Sequence, residues 1–342
     1  PRAQSAAGHQ GGTGHAFGRL ICPARGESAD ALTVSPVKPR CCTQHAAVLT
    51  PVRCVYPAPT TIDAMKIQLL SDLHLEVHPH FVPQPTPGAD VLVLAGDIGS
   101  YQAGSLLGAM GDEHFGLERF ADWPVPVIFV PGNHEYDAQD FDAAHARLRA
   151  TCERLGLIWL ERESMVLHGV RFVGTTLWSD FDALAEHEGS SDLARRLRQR
   201  DKAFRAANFY LKKTGGTRDE AAFLAPAVRE QGLLCQQWLR ETLATAFDGP
   251  TVAVTHFAPS LHSADPRYGL VPGTAGFCNA LDDCLAPVQL WLHGHLHAPL
   301  DYTVQGAHPS GTPWQCRVVA NPLGYARKGE QSAFVAQNCI NL

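Results

Sequence analysis

The sequence predicts an α/β fold whose functional groups gather where buried strands end. Five short runs of Val, Ile and Leu lack the polar alternation of a half-exposed sheet, which is typical of strands covered on both faces. An Asp, Asn or His follows within a few residues of every run, and open α/β sheets collect their sites at carboxyl ends of strands. The runs are residues 66–70, 91–94, 125–130, 251–254 and 288–292.

The polar residues after these runs form an ordered set of metal-ligand motifs. Carboxylate oxygens, imidazole nitrogens and amide oxygens bind hard or borderline cations such as Mn, Fe and Zn. Any one motif alone is weak, whereas the ordered set strongly indicates one dinuclear site. The motifs are D-L-H at 72–74, G-D at 96–97, G-N-H-E at 132–135, T-H at 255–256 and G-H-L-H at 294–297.

This set resembles the pattern of the calcineurin-like metallophosphoesterases, which reads D-x-H, G-D, G-N-H-[D/E], a lone His and G-H-x-H. The resemblance runs from about Met65 to the C-terminus, and each ligand position of the pattern is filled. It implies a four-layer α/β/β/α sandwich of two mixed β-sheets flanked by helices. It also implies a phosphoric ester hydrolase that uses two divalent ions to make a hydroxide for in-line attack on phosphorus.

The resemblance divides the ligands between two ions and makes one carboxylate a bridge. A bridging carboxylate offsets charge between two cations, while imidazole and amide groups add affinity without more negative charge. The metals themselves are left open among Mn, Fe, Zn, Co and Ni. The first ion is assigned Asp72, His74, Asp97 and His297, and the second Asn133, His256 and His295, with Asp97 shared.

Three polar neighbours of these ligands are expected to have other roles. In the family the residue equivalent to His134 lies near the leaving-group oxygen, where an imidazolium can donate a proton. Glu135 is predicted to orient or cap the loop. His293 shares the alternation of His295 and His297, but it precedes the glycine and falls outside the pattern, so a structural role is predicted.

The long connection between the third and fourth motifs is predicted to hold a helical cap insertion at about 180–230. Its basic residues Arg195, Arg198, Lys202 and Arg205 share a helix face, and a solvated surface is the favoured interpretation. The alternative is a cap whose cations meet the substrate's phosphate. Other predicted elements are helices at 138–155, 191–213 and 232–247, a hairpin within 165–178 broken at 168–169, and strands at 157–160 and 317–320.

Residues 1–64 are predicted to be a disordered or non-native extension of the metallophosphoesterase domain at 65–342. The segment has no Met, little periodicity and four of the ten cysteines, and Met65 directly precedes the first strand. The other six cysteines form no C-x-x-C pair, so reduced thiols and a cytoplasmic location are the default. No apolar run reaches transmembrane length, and no membrane partner is expected.

Departures from the pattern disfavour two subfamilies, the protein phosphatases and the purple acid phosphatases, and the expected partner is a small phosphate-ester substrate. The Arg of protein phosphatases (G-D-x-V-D-R-G) and the metal-bound Tyr of purple acid phosphatases (G-D-x-x-Y) are missing after Asp97. Leu323 stands where bacterial members often have Arg, which removes a phosphate contact. The residues from Met65 on carry more acidic than basic side chains, which disfavours a nucleic-acid partner. A nuclease of the same fold and a non-catalytic partner-binding scaffold are the alternatives, and mono- or diester preference and oligomeric state stay open.

Overall fold

The computed structural model describes residues 65–189 and 191–342, in which two β-sheets pack face to face between helices. The predicted extension at 1–64 lies outside the described residues. The strands are β1 (Lys66–Leu70), β2 (Val91–Ala95), β3 (Val127–Val130), β4 (Ile158–Trp159), β5 (Glu163–Leu167), β6 (Val170–Thr175), β7 (Thr217–Arg218), β8 (Ala221–Ala222), β9 (Thr251–Thr255), β10 (Leu290–His293), β11 (Leu300–Ala307), β12 (Pro313–Ala320) and β13 (Ile340–Asn341). The helices are α1 (Leu106–Ala109), α2 (Phe141–Leu155), α3 (Ala183–His187), α4 (Leu193–Thr214) and α5 (Ala225–Leu243).

Both large sheets have a parallel centre, with an antiparallel strand at one edge of the first sheet and at both edges of the second. The first has the order β13-β1-β2-β3-β4, and only β13 runs antiparallel to its neighbour. The second has the order β11-β12-β10-β9-β6-β5, with β11 and β5 antiparallel. Because parallel strands end at the same edge, the segments after β1, β2 and β3 leave the first sheet together. Those after β9 and β10 leave the second sheet in the same way.

Apolar residues fill the space between the sheets and also cover their outer faces. Alternate residues on a strand point to opposite faces, so Leu92 and Phe129 belong to an outer cluster that includes residues of α2 and α5. This arrangement confirms the predicted four-layer α/β/β/α sandwich. The inner cluster includes Ile67, Val93 and Ile128 from the first sheet and Phe172, Val254 and Leu292 from the second.

Most predicted elements are present, and local chemistry explains their ends. The Asp140 side chain accepts a hydrogen bond from Ala143 N–H (3.1 Å) and caps α2, which ends at Gly156 with φ of 72°. The hairpin turns at His168 and Gly169, both with positive φ, as a two-residue turn requires. The prediction for α5 was wrong at both ends. The helix starts seven residues earlier than predicted, with a proline in its first turn, and ends earlier, at Leu243.

The region predicted as a helical cap contains α3, α4 and the β7–β8 hairpin. Arg195, Arg198, Lys202 and Arg205 are all exposed on α4, which agrees with a solvated helix face. Arg200, on the inner side of α4, instead forms a bidentate pair with the buried Asp182 (2.8 and 2.6 Å). The inner side of the helix is therefore tied to the domain by charge as well as by apolar packing.

Two further observations concern cysteines and membranes. Cys152, Cys235, Cys278, Cys284 and Cys316 are buried free thiols, and Cys339 is exposed. Burial raises the pKa of the Cys278 and Cys284 thiols to about 12. None of the helices in the described ranges combines the length and the apolar character that crossing a bilayer demands.

A chain that begins at Met65 is expected to keep the free energy of unfolding and the activity of the full chain. The outer neighbour of β1 comes from residues 65–342, because β13 pairs with β1 and Leu342 N–H donates to Met65 O (3.0 Å). Denaturant unfolding of both chains measures this. A loss above about 1 kcal/mol, or lost activity, would show that residues 1–64 contribute to the fold.

Candidate metal centre

Backbone hydrogen bonds join the loops that carry the five motifs. Asp72 N–H donates to Gly96 O (2.9 Å) and His74 N–H to Asp97 O (3.1 Å), which connects the loops after β1 and β2. In the second sheet, the loop after β10 is joined to the end of β9 by a bond of 3.1 Å to His256 O. The sheets meet where His256 Nδ1–H donates to the carbonyl of Ala95 (2.8 Å). The motifs therefore converge on one place.

The four residues predicted to hold the first ion form one compact group, here called the Asp72 cluster. It consists of Asp72, His74, Asp97 and His297, and each offers a ligand atom within 4.8 Å of the others. His297 Nε2 lies 2.9 Å from His74 Nε2 and 3.3 Å from Asp72 Oδ1. All but His297 are buried. Two imidazole nitrogens and a carboxylate oxygen thus face a common point.

A second group, here called the His256 cluster, shares one residue with the first. Asp97, His256 and His295 offer ligand atoms within 4.8 Å of one another. His256 Nε2 lies 3.1 Å from Asp97 Oδ2 and 3.2 Å from Asn133 Oδ1. All seven predicted metal ligands are therefore brought together, and Asp97 stands between the two clusters.

Two buried polar atoms show that the clusters fit bound cations. Asp97 Oδ2 and His295 Nε2 are inaccessible to solvent and make no well-aligned hydrogen bond among the described residues, although His256 Nε2 lies 3.1 Å from Asp97 Oδ2. An unsatisfied buried polar group costs about 1–3 kcal/mol, and such groups in native proteins call for an explanation. A carboxylate oxygen and an imidazole nitrogen are both good ligands for divalent metals. Cations held by the two clusters would satisfy both atoms.

The backbone is strained at most of the candidate ligands. A left-handed conformation of a non-glycine residue is uncommon and concentrates at functional sites. Close approach also demands glycine, because a Cβ on Gly132 would lie 2.2 Å from Asp97 Oδ1. The fold thus maintains an unfavourable local geometry that points these side chains inward. The left-handed residues of the centre are Asp72 (φ 52°), His74 (46°), Asp97 (54°), His295 (71°) and His297 (50°).

The buried carboxylates of the centre raise the pKa of two neighbouring histidines. Burial opposes a charge on His256, but Asp97 and Asp72 raise its pKa to about 9. Burial likewise opposes a charge on His297, yet its hydrogen bonds to carboxylates, Asp72 foremost, raise its pKa to about 9. Protons thus compensate the carboxylates when no metal is bound, and metal binding must release them.

His134 lies beside the two clusters and differs from their histidines in its contacts. Its Nδ1 lies 2.5 Å from Asp137 Oδ2, while its Nε2 is 4.0 Å from Asp97 Oδ2. Burial opposes the charged imidazolium, but Asp137 and then Asp97 raise the pKa of His134 well above its usual value. The side chain keeps 20% of its accessible surface. The raised pKa thus favours the imidazolium form of His134, whose side chain is partly accessible to solvent beside the two clusters.

Two other predicted non-ligands make purely structural contacts. The Glu135 carboxylate accepts hydrogen bonds from the backbone N–H of Asp97, Ile98 and Gly132 (3.1, 2.6 and 2.8 Å). It thereby fixes the loops after β2 and β3 to each other. His293 is buried, with Nε2 3.0 Å from Ser263 Oγ, and burial lowers its pKa to about 4. Both geometries agree with the orienting and structural roles predicted for them.

Sequence reasoning missed four residues that contact these side chains. Asp137 is one of them, and its i, i+3 spacing from His134 was a usable signal. Glu76 continues the alternation of Asp72 and His74, which was another signal. No local pattern pointed to Tyr325 and Glu330, because the fold returns them to the centre from the C-terminal end of the chain.

The fold and site together define a metal-dependent hydrolase, and comparison with known proteins identifies its family. The family profile described as calcineurin-like phosphoesterase matches residues 65–299, more than half of the chain. The chain therefore belongs to the calcineurin-like phosphoesterase family. As a member it is a metal-dependent phosphoric ester hydrolase. This confirms the resemblance and the enzyme class predicted from the motifs.

Individual relatives are distant. Protein L509 of Acanthamoeba polyphaga mimivirus, itself uncharacterized, is 23% identical over 216 residues, which are 59% of this chain and 69% of the relative. The phosphopantetheinyl hydrolase PptH from Mycobacterium tuberculosis shares the fold with a TM-score of 0.55 at 19% identity, over 82% of this chain and 96% of that one. A dimetal phosphatase from Danio rerio has a TM-score of 0.42 at 14% identity, over 75% and 87% of the two chains.

Proposed function

We propose that this enzyme hydrolyses small phosphate mono- or diesters with two divalent cations, one in the Asp72 cluster and one in the His256 cluster. The observation that carries the proposal is the pair of ligand groups that share Asp97. The two buried atoms that make no well-aligned hydrogen bond, Asp97 Oδ2 and His295 Nε2, support it. Asp97 Oδ2 belongs to the carboxylate that the two clusters share, and His295 Nε2 belongs to the His256 cluster alone.

The bound cations would supply a hydroxide nucleophile at neutral pH and Lewis-acid stabilisation of the phosphoryl oxygens. The rest of the chemistry belongs to this chain's residues. His134 donates a proton from Nε2 to the leaving-group oxygen, because Nδ1 is engaged by Asp137 (2.5 Å). Asp137 fixes the ring orientation and stabilises its positive charge. Glu135 fixes the backbone of the two loops that carry Asp97 and Asn133 by accepting their backbone hydrogen bonds.

A substrate panel tests the proposed function. Metal-free enzyme is reconstituted with each of Mn, Fe, Zn, Co and Ni, and assayed against an aryl phosphate, a bis-aryl phosphate, a cyclic nucleotide and single-stranded DNA. A phosphopantetheinyl ester is added, since the Mycobacterium tuberculosis neighbour is a phosphopantetheinyl hydrolase. We expect metal-dependent turnover of the small esters. Turnover of DNA alone would favour a nuclease, and no turnover with any metal would favour a scaffold.

Replacing Asp137 with asparagine is expected to narrow the pH range of activity from its alkaline side. The carboxylate raises the pKa of His134, so the proton-donating form persists to higher pH in the wild type. Without it that pKa falls by about 1–3 units, and the alkaline limb of kcat/KM moves to lower pH. The matched control is Asp142→Asn, which removes an exposed carboxylate that pairs with Arg218 (3.0 Å). An unchanged profile in the Asp137 variant would contradict the role of this pair.

A further inference from the structure

We infer that Glu330 is a positioning residue of the metal centre, which fixes the ring nitrogen that His297 presents to a cation. Together with Glu76, it makes the Asp72 cluster the tighter of the two metal sites. The inference rests on the proposed dinuclear function and deepens it. Glu330 lies beyond residues 65–299, the part of the chain that the family profile matches, so the family assignment does not supply this residue.

The contacts of Glu330 determine the orientation of the His297 ring. Its Oε2 accepts hydrogen bonds from His297 Nδ1–H (2.7 Å) and from the backbone N–H of Tyr325 (2.8 Å). Because Nδ1 is occupied, Nε2 is the nitrogen that faces the cluster, 3.3 Å from Asp72 Oδ1. Glu330 itself is only 8% exposed, so water competes weakly for its carboxylate. A carboxylate behind a ligating imidazole fixes its tautomer and raises its basicity.

The segment that carries Glu330 is fixed against the first motif. Gly324 N–H donates to Asp72 O (3.0 Å), and Gly324 O accepts from His78 Nε2–H (2.9 Å). The Tyr325 ring stacks on His74 with centroids 4.3 Å apart. Gly324 has φ of 68°, and a Cβ there would lie 2.7 Å from Glu330 Cβ. The Gly324 backbone thus lies directly against Glu330, and the same segment is hydrogen-bonded to the first motif.

Glu76 makes the equivalent contact to the other histidine of the same cluster. Its Oε1 accepts from His74 Nδ1–H at 2.9 Å, and both side chains are fully buried. In the His256 cluster, two contacts that lie behind the histidines involve no carboxylate, since His256 Nδ1–H donates to the backbone carbonyl of Ala95 and the His295 ring stacks on Phe257 with centroids 4.0 Å apart. The Asp72 cluster therefore has two additional carboxylates close behind its ligands. Greater negative charge around a site favours the binding of a hard cation.

Calorimetric titration of the metal-free full-length protein with Mn²⁺ tests the inference. The wild type is expected to bind one ion tightly and a second more weakly. Glu330→Gln keeps the size of the side chain but removes its charge, and should weaken the tighter step by about 10–100-fold. The weaker step should stay unchanged. Glu76→Gln should have the same selective effect. Glu163→Gln is the matched control, because it breaks an exposed ion pair with Arg149 (2.7 Å).

Two further measurements distinguish a positioning role of Glu330 from a merely structural one. Adding the Glu330 substitution to His297→Ala should cause no further loss of affinity, because the two residues act as one unit. In the zinc-loaded wild type, histidine ¹⁵N spectra should show His74 and His297 protonated at Nδ1. This second readout needs no variant to fold.

Four outcomes overturn the inference. They are one uniform binding step in the wild type, wild-type affinities in Glu330→Gln, equal weakening of both steps, and an Nε2–H tautomer at His297. If the wild-type protein binds no metal at all, both the inference and the proposed function are overturned.

Discussion

Replacing Asp97 with asparagine is expected to abolish phosphoester hydrolysis and to reduce the occupancy of both metal sites. Asp97 is the one residue common to the two clusters, so it would contact both of the proposed cations. A neutral amide cannot offset the charge between two cations, and its NH₂ group would repel one of them. Losing about 4 kcal/mol of transition-state stabilisation lowers kcat by roughly 10³-fold, and loss of the metals lowers it further.

Metal content by mass spectrometry and kcat for an aryl phosphate measure this result together. The control is Asp301→Asn, which removes an exposed carboxylate paired with Arg317 (2.6 Å) on the second sheet. It should keep both metals and full activity. An Asp97 variant that binds two metals and turns over at a near-normal rate would show that another residue bridges them.

Replacing His134 with alanine or glutamine is expected to lower kcat by roughly 10²–10⁴-fold, the range for a lost general acid. Metal content should stay intact. His134 Nε2 is 4.0 Å from the nearest Asp97 oxygen, and the residue belongs to neither group of candidate ligands. Loss of this side chain therefore removes a proton donor and leaves the proposed ligands in place.

The deficit should also depend on the leaving group. Nitrophenolate departs with little need of a proton, so the variant should lose least with nitrophenyl phosphate. An alkyl phosphate releases a strongly basic alkoxide and should show the full loss. A uniform deficit across leaving groups, together with missing metal, would place His134 among the ligands and redraw the roles of the whole centre.

The strands and the site order were predictable because both leave local signals. A buried parallel strand needs an unbroken aliphatic run, and β1, β2 and β9 begin at Lys66, Val91 and Thr251 as predicted. Ligands that follow parallel strands of one sheet lie at the same edge of that sheet, and the family resemblance implied that all five motifs share one centre. The seven candidate ligands could thus be grouped from the motifs, and the structure brings them together.

Features that depend on distant packing could not be predicted. The residues of the β11–β12 hairpin alternate between exposed and partly buried along β11, so they lack a continuous apolar run. The start of α5 was placed too late because its first buried residues, Ala225 and Val228, leave only a sparse apolar pattern. Glu330 reaches His297 from 33 residues away, and nothing in its own neighbourhood marks it as a partner of the metal centre.

Anomalous diffraction from crystals of the full-length enzyme grown with Mn²⁺ tests the central claim most directly, namely that the two clusters hold two cations bridged by Asp97. We expect two anomalous peaks about 3.5–4 Å apart, one within reach of Asp72, His74 and His297 and the other near Asn133, His256 and His295. The Asp97 carboxylate should lie between them, and His134 should contact neither. A single peak, no peak, or a peak coordinated by His134 would contradict the account.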